Sequence, residues 1–157
     1  MVLAFLFLAT SPPLAQSEDD HLLKGNEYRT RGEPLRAEGQ YLLALEHDPQ
    51  LAEAHARLGE IYTARKKFQK AIESFESALS LGYNEPLLFI RLAYSYQSSG
   101  DLDAAIGVYR RFVALYPNLP EAHLGLGSLY DQKGRKSEAE EEYGIYRKLK
   151  KANDSSS

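Results

Sequence analysis

A period of 34 residues runs through most of this chain and limits how it can fold more than any other feature. In the stretch that begins at Pro120, small residues stand at positions 8 and 20 and aromatic residues at positions 11 and 24. The same arrangement begins again at Glu18, Ala52 and Pro86. A unit repeated at such a period cannot bury its apolar side chains alone and must stack on its neighbours. The sequence therefore predicts an array of stacked units that share one continuous core.

Each unit is predicted to be two helices joined by a tight turn. Small residues at positions 8 and 20 let the two helices approach closely, and the aromatic residues at 11 and 24 fill the space beside that contact. Position 15 is glycine in three units, where it lets the chain leave the first helix in a left-handed conformation. The second unit departs from this pattern, with Lys66 at that position.

This pattern resembles the tetratricopeptide repeat, a helix-turn-helix unit of the same period. The resemblance implies an all-α fold, a right-handed α-solenoid of four such units. We predict units at residues 18–51, 52–85, 86–119 and 120–153, followed by a polar tail at 154–157. Polar residues replace apolar ones at outer positions of the first and last units, as at Lys24 and Arg147, which predicts a complete array.

The first 17 residues form a separate segment, in which residues 2–9 are all apolar. That run is too short to cross a bilayer as a helix. Two prolines and the small residues Ala15 and Ser17 follow it, an arrangement similar to a secretory signal peptide cleaved before Glu18. We therefore expect a periplasmic or secreted protein. No Lys or Arg precedes the apolar run, so the alternative is a cytoplasmic protein with an uncleaved leader, the one case in which membrane contact is expected.

Composition and motifs disfavour several function classes. The net charge is only -3, and basic residues are interleaved with acidic ones, so nucleic acid is not an expected partner. The chain has no cysteine and therefore no thiolate metal site or cysteine nucleophile. The sequence contains no strand pattern, so no glycine-rich loop follows a strand. It also offers no set of a nucleophile, a base and an orienting acid from which a catalytic site could be assembled. We predict a protein that is not an enzyme, with no catalytic residue, cofactor or small-molecule substrate.

Three histidines, His21, His55 and His123, share position 4 of their units. Equivalent positions in adjacent units are separated by roughly 10 Å, the spacing of packed helices, whereas the ligands of one zinc ion lie at about 2 Å from it. We therefore predict that these imidazoles pack between helices, and we predict no metal ligand.

The remaining candidate site is the concave groove that the resemblance implies. In tetratricopeptide proteins the first helix of each unit lines this groove, and positions 2, 5, 6, 9, 12 and 13 face a bound segment of another protein. The predicted groove residues are Asn26, Arg29, Arg57, Glu60, Arg91, Tyr94, Gln97, Ser128 and Asp131. Apolar residues and one amide hold other groove positions: Leu22, Leu87, Ile90, Leu124 and Gln132.

Glu60 can pair with Arg57 three residues before it, whereas Arg91 has no acid within its own helix turn. Arg91 is therefore predicted to be the better anchor for an anion.

Two classes of function fit these observations. The first is a non-enzymatic scaffold that binds an extended or helical peptide segment of a partner protein in the groove. The alternative is an assembly component that associates through convex or terminal helices, with Tyr146 and Leu149 as contact residues. Cochaperones of this family hold a C-terminal carboxylate with lysine, asparagine and arginine at five groove positions. Only Asn26 and Arg91 match that set, so this role is not predicted.

Overall fold

The computed structural model describes residues 18–155, and the predicted signal peptide lies outside them. Eight helices and no strand occur in this part of the chain, which confirms the predicted all-α fold. The helices are α1 (Glu18–Thr30), α2 (Pro34–His47), α3 (Ala52–Ala64), α4 (Phe68–Ser80), α5 (Pro86–Ser99), α6 (Leu102–Leu115), α7 (Pro120–Gln132) and α8 (Lys136–Asp154). Among these helices, none is both long enough and apolar enough to cross a membrane.

The described residues divide into two compact units, one ending at Pro49 and the other beginning at Gln50. In the first unit α1 packs against α2. In the second unit α3 to α8 form a continuous stack, because each helix packs against the next and α3 also contacts α5. The first helices α3 and α5 of two successive pairs therefore lie side by side.

The two helices of a pair approach most closely where glycine at position 8 meets the aromatic ring at position 24. A methyl group added at Gly59 would lie 2.6 Å from the Phe75 ring, too close for any real contact. The same contact joins α7 and α8, where a methyl group at Gly127 would lie 2.8 Å from the Tyr143 ring. The close helix approach predicted from the small and aromatic positions is therefore confirmed.

The turn after each first helix has a residue with a positive φ at position 15. Gly32, Gly100 and Gly134 have φ of +74°, +91° and +73° there, as the glycine pattern predicts. Lys66 adopts the same left-handed conformation with φ of +57°, although it has a side chain. The turn geometry is thus kept in every pair, and in the second pair a residue that disfavours it must adopt it.

Candidate functional site

Side chains of α3, α5 and α7 join these first helices to one another across the second compact unit. Three cross-helix pairs form: Glu60 with Arg91, Thr63 with Ser95, and Gln97 with Gln132. Ser95 is fully buried, so the pair of Thr63 and Ser95 lies inside the stack. We call the accessible side of α3, α5 and α7, which carries the other two pairs, the first-helix face. Seven of the nine predicted groove residues lie on these three helices: Arg57, Glu60, Arg91, Tyr94, Gln97, Ser128 and Asp131. That they line one groove stays a prediction.

The strongest feature of the first-helix face is an ion-pair network around Glu60. The Arg91 Nη1 atom lies 2.6 Å from Glu60 Oε1, and Arg57 Nη1 lies 3.2 Å from the same oxygen. Arg57 also contacts Glu53 Oε1 through Nη2 at 3.1 Å. Arg91 is therefore not the unpaired anion anchor that its own helix turn suggested, because the acid that pairs with it comes from the neighbouring helix.

The charges of this network are balanced. Burial alone would lower the pKa of the Arg57 guanidinium, but Glu60, Tyr83 and Glu53 together raise it above its ordinary value. Burial also raises the pKa of the Tyr83 hydroxyl, against the lowering effect of Arg57. Arg57 thus stays charged and Tyr83 neutral at pH 7. A bound anion would have to displace a carboxylate that already pairs with the arginines.

Large apolar side chains are exposed on two of these first helices. Leu87 and Tyr94 on α5 are each 51% exposed, and Leu124 on α7 is 40% exposed. Leu87, Arg91 and Tyr94 are spaced by four and three residues, so they share one side of α5. The Tyr94 ring also packs edge to face against Phe68, with ring centroids 6.0 Å apart. The first-helix face is therefore apolar in part, and its apolar members are accessible.

The remaining predicted residues of the second unit are polar. Gln97 Nε2 donates a hydrogen bond of 2.7 Å to Gln132 Oε1, and Gln132 Nε2 donates to Ser128 Oγ at 3.5 Å. Asp131 lies on the same helix as Ser128 and is exposed. These amides and hydroxyls offer hydrogen bonds without a net positive charge.

Asn26 and Arg29 belong to the first compact unit. Asn26 Oδ1 accepts a hydrogen bond of 2.8 Å from the Tyr41 hydroxyl, so its amide serves to join α1 to α2. Arg29 is exposed near the end of α1. Their membership of one groove with the other seven residues stays a prediction.

Two of the three histidines at position 4, His21 and His123, are buried and take part in helix packing, as predicted. His21 is 2.9 Å from Gln40 Oε1 through Nδ1 and stacks on the His47 ring. His123 is 2.7 Å from Glu142 Oε2 through Nδ1. Within residues 18–155, no group of three or more histidine and acidic side chains is placed to hold a metal ion.

Comparison with known protein families agrees with this architecture. Two family models described as tetratricopeptide repeat match residues 52–81 and 90–154, which together make up more than half of the chain. These family matches and the fold define a protein-interaction scaffold of stacked helix pairs. The chain belongs to the tetratricopeptide repeat family, and its fold is an all-α tetratricopeptide solenoid.

Individual proteins are similar over much of the chain. A crystal structure of MamA superposes with a TM-score of 0.82 at 24% identity, covering 89% of this chain and 82% of that one. Superkiller complex protein 3 of Mus musculus is 34% identical over 122 residues, 73% of this chain and 8% of that protein. The peroxisomal targeting signal receptor of Kluyveromyces lactis is 32% identical over 88 residues, 55% of this chain and 16% of that protein. The chain spans less than a fifth of the length of such curated relatives.

Proposed function

We propose that this chain is a non-enzymatic scaffold that binds a peptide segment of a partner protein on the first-helix face. The observation that carries the proposal is the exposure of Leu87, Tyr94 and Leu124 on helices that polar side-chain pairs also join to one another. Exposed apolar side chains among ordered hydrogen-bonding groups are a common composition for a protein-binding surface. A similar protein is named as a receptor for a targeting signal, which supports a protein segment as the ligand.

The polar pairs between α3, α5 and α7 suit this role because they fix the surface before a ligand arrives. The Glu60 and Arg91 pair, together with the hydrogen bond from Gln97 to Gln132, restrains side chains that would otherwise lose rotamer freedom on binding. Less ordering on binding means that more of the interaction free energy appears as affinity. The balanced charges favour a segment that is not acidic, in contrast to the anion expected from the arginines alone.

Site-specific photo-crosslinking in the native host tests this proposal. A photoreactive phenylalanine analogue is placed at Tyr94 or at Leu124, and crosslinked peptides are identified by mass spectrometry. Both positions should crosslink to one short segment of the same partner. The matched control is Leu115, a leucine on α6 that is 48% exposed but lies on a second helix. Crosslinks from Leu115 alone, or to unrelated segments from the two test positions, would place binding elsewhere.

The alternative function is assembly through terminal or convex helices. Tyr146 and Leu149 on α8 are both half-buried, so part of each side chain remains available for a contact. Sedimentation equilibrium of the chain over a hundredfold concentration range distinguishes the two functions. Self-association that Tyr146→Ala and Leu149→Ala abolish together would support assembly, whereas a monomer at all concentrations would exclude assembly by self-association.

We also propose that the chain is exported to the periplasm or the cell exterior. The support is the apolar run at residues 2–9 followed by the small residues Ala15 and Ser17. N-terminal sequencing of protein from the native host should find a chain that begins near Glu18. Intact Met1 on cytosolic protein would reject export and favour an uncleaved leader.

A further inference from the structure

A cavity of about 340 Å³ lies between α3, α4 and α5 in the second compact unit. Its floor consists of buried apolar side chains from all three helices: Ala56, Phe75 and Leu88. Tyr83 and the exposed Leu87 form its walls. Sites for small ligands have volumes of about 300–1,000 Å³, so this one is large enough for a single bulky side chain.

The wall that contains Tyr83 is fixed by hydrogen bonds at both ends of the loop between α4 and α5. The Tyr83 amide donates to the Ala78 carbonyl at 2.9 Å, and the Leu88 amide donates to the Glu85 carbonyl at 3.0 Å. The Tyr116 hydroxyl also donates to the carbonyl of Asn84 in the middle of the loop. The loop is therefore held by contacts within the chain, and a side chain that enters the cavity need not order it.

The rim of the cavity carries more acids than bases. Arg57 lines it together with Glu60 and Glu85, and Arg57 is already paired with Glu60 and Glu53. A carboxylate at this rim would meet like charges and would have to break an existing ion pair. The chemistry of the rim therefore excludes acidic side chains, while the floor favours apolar ones.

We propose that this cavity is an anchor site for one large, uncharged aromatic side chain of the bound protein segment. The Tyr83 ring stands at its wall, where a second ring can pack edge to face or offset against it, and the buried Phe75 contributes to its apolar floor. The proposal rests on the proposed function only for the ligand being a protein segment. It adds which part of that segment is recognised and by which residues.

Blocked amino acids test the cavity without knowledge of the partner. N-acetyl-tryptophanamide, N-acetyl-leucinamide and N-acetyl-glutamic acid amide are titrated into the full, ¹⁵N-labelled chain, and amide shifts are followed by NMR. The tryptophan compound should perturb the amides of Ala56, Tyr83 and Leu88 saturably. Its affinity should exceed that of the leucine compound by at least about fivefold, and the glutamate compound should not bind, given the discrimination typical of apolar pockets.

Two variants at exposed leucines test whether binding depends on the cavity itself. Leu87→Glu adds a charge at the cavity wall and should weaken binding of the tryptophan compound at least tenfold. Leu35→Glu adds the same charge at an exposed leucine of α2 that does not line the cavity, and it should leave that binding unchanged. Circular dichroism checks that both variants keep native helicity, as expected because both leucines are exposed.

The outcomes for the anchor site and for the proposed function can be told apart. No saturable shifts at the cavity, equal responses to the tryptophan and glutamate compounds, or equal losses in the two variants would overturn the anchor site. Photo-crosslinks from Tyr94 and Leu124 to a partner segment would still support the proposed function in that case. Binding of the tryptophan compound without such crosslinks would support the cavity and reject the proposed use of the face.

Discussion

Glu60 of α3 and Arg91 of α5 form an ion pair of 2.6 Å between the first helices of two successive helix pairs. Its side chains are 20% and 34% exposed, so water screens the pair only in part. The pair fixes how α3 and α5 meet and leaves the arginine without a free charge for a ligand. It links the packing of the helices to the chemistry of the first-helix face.

A double-mutant cycle with Glu60→Gln and Arg91→Gln measures this link. We expect a coupling free energy of about 1 kcal/mol from urea unfolding, near the upper end for accessible pairs, and a decrease at high salt. The control is the pair of Lys133 and Asp103, where the aspartate is 76% exposed, and its coupling should be smaller. Equal coupling in the two cycles would show that burial does not strengthen the Glu60 pair.

The left-handed turn at Lys66 predicts a stabilising substitution. The left-handed conformation costs a residue with a side chain about 1–2 kcal/mol, and glycine avoids this cost. Part of the resulting gain in stability is lost because glycine has more conformational freedom in the unfolded chain. Lys66→Gly should therefore raise the free energy of unfolding by about 0.5–1 kcal/mol. Gly100→Ala, at φ of +91° in the equivalent turn, should lower it by at least about 1 kcal/mol. Thermal and urea unfolding of both variants check the two opposite signs.

Two glycines in helices predict opposite effects of the same substitution. Gly59→Ala places a methyl group 2.6 Å from the ring of Phe75, which is buried and cannot move freely. We expect a loss of about 1–3 kcal/mol from overpacking. Gly107→Ala in α6 meets no atom within 4 Å and should gain about 0.5–1 kcal/mol. Stabilisation by both substitutions would mean that Phe75 can shift at little cost.

Contacts within a helix pair could be predicted from the sequence because they depend on spacing along two adjoining helices. The Gly59 and Phe75 contact and the left-handed turns follow from positions 8, 24 and 15 of the period. The Glu60 and Arg91 pair could not be predicted in this way, since it depends on the register with which one pair stacks on the next. Local spacing suggested only that Glu60 pairs with Arg57, which is correct but incomplete.

The cavity also depends on features that the period does not contain. Its wall is Tyr83, which stands where two other units have proline, and the loop around it takes its position from Tyr116 in a later loop. The departure at Tyr83 was visible in the sequence as a change in a turn. A signal for the site would have been the bulky ring in that turn beside Leu87 at a groove position.

The contact between buried His123 and half-buried Glu142 predicts a compensating substitution. His123 also lies 2.9 Å from the Pro117 carbonyl through Nε2, so both ring nitrogens face oxygen atoms. His123→Phe removes these contacts, so the Glu142 carboxylate loses its imidazole partner. The free energy of unfolding should therefore fall by about 1–3 kcal/mol.

The double variant His123→Phe, Glu142→Val copies the apolar pair of Phe89 and Val108 at the equivalent positions of α5 and α6. We expect it to recover at least half of the loss measured for His123→Phe. Urea unfolding of the two single variants and the double variant gives the comparison. If the loss in the free energy of unfolding of the double variant equals the sum of the losses of the two single variants, the two positions do not act as a pair.

The hydroxyl of Tyr96 on α5 predicts how stability changes at high pH. Burial, and then the Glu76 carboxylate 3.1 Å from the hydroxyl, raise the pKa of Tyr96 from 10.0 to about 12. The folded chain thus holds this proton more tightly than the unfolded chain does. The stabilising effect is complete below pH 10 and is lost as the pH rises from 10 to about 12.

Tyr96→Phe removes this titration, so the free energy of unfolding of the variant should fall less steeply with pH in that interval. Urea unfolding at several pH values from 9 to about 11.5 measures the slopes, with Tyr94→Phe as the comparison because that ring is 51% exposed. Equal slopes in the two variants would show that the pairing of Tyr96 with Glu76 does not hold the proton in the folded chain.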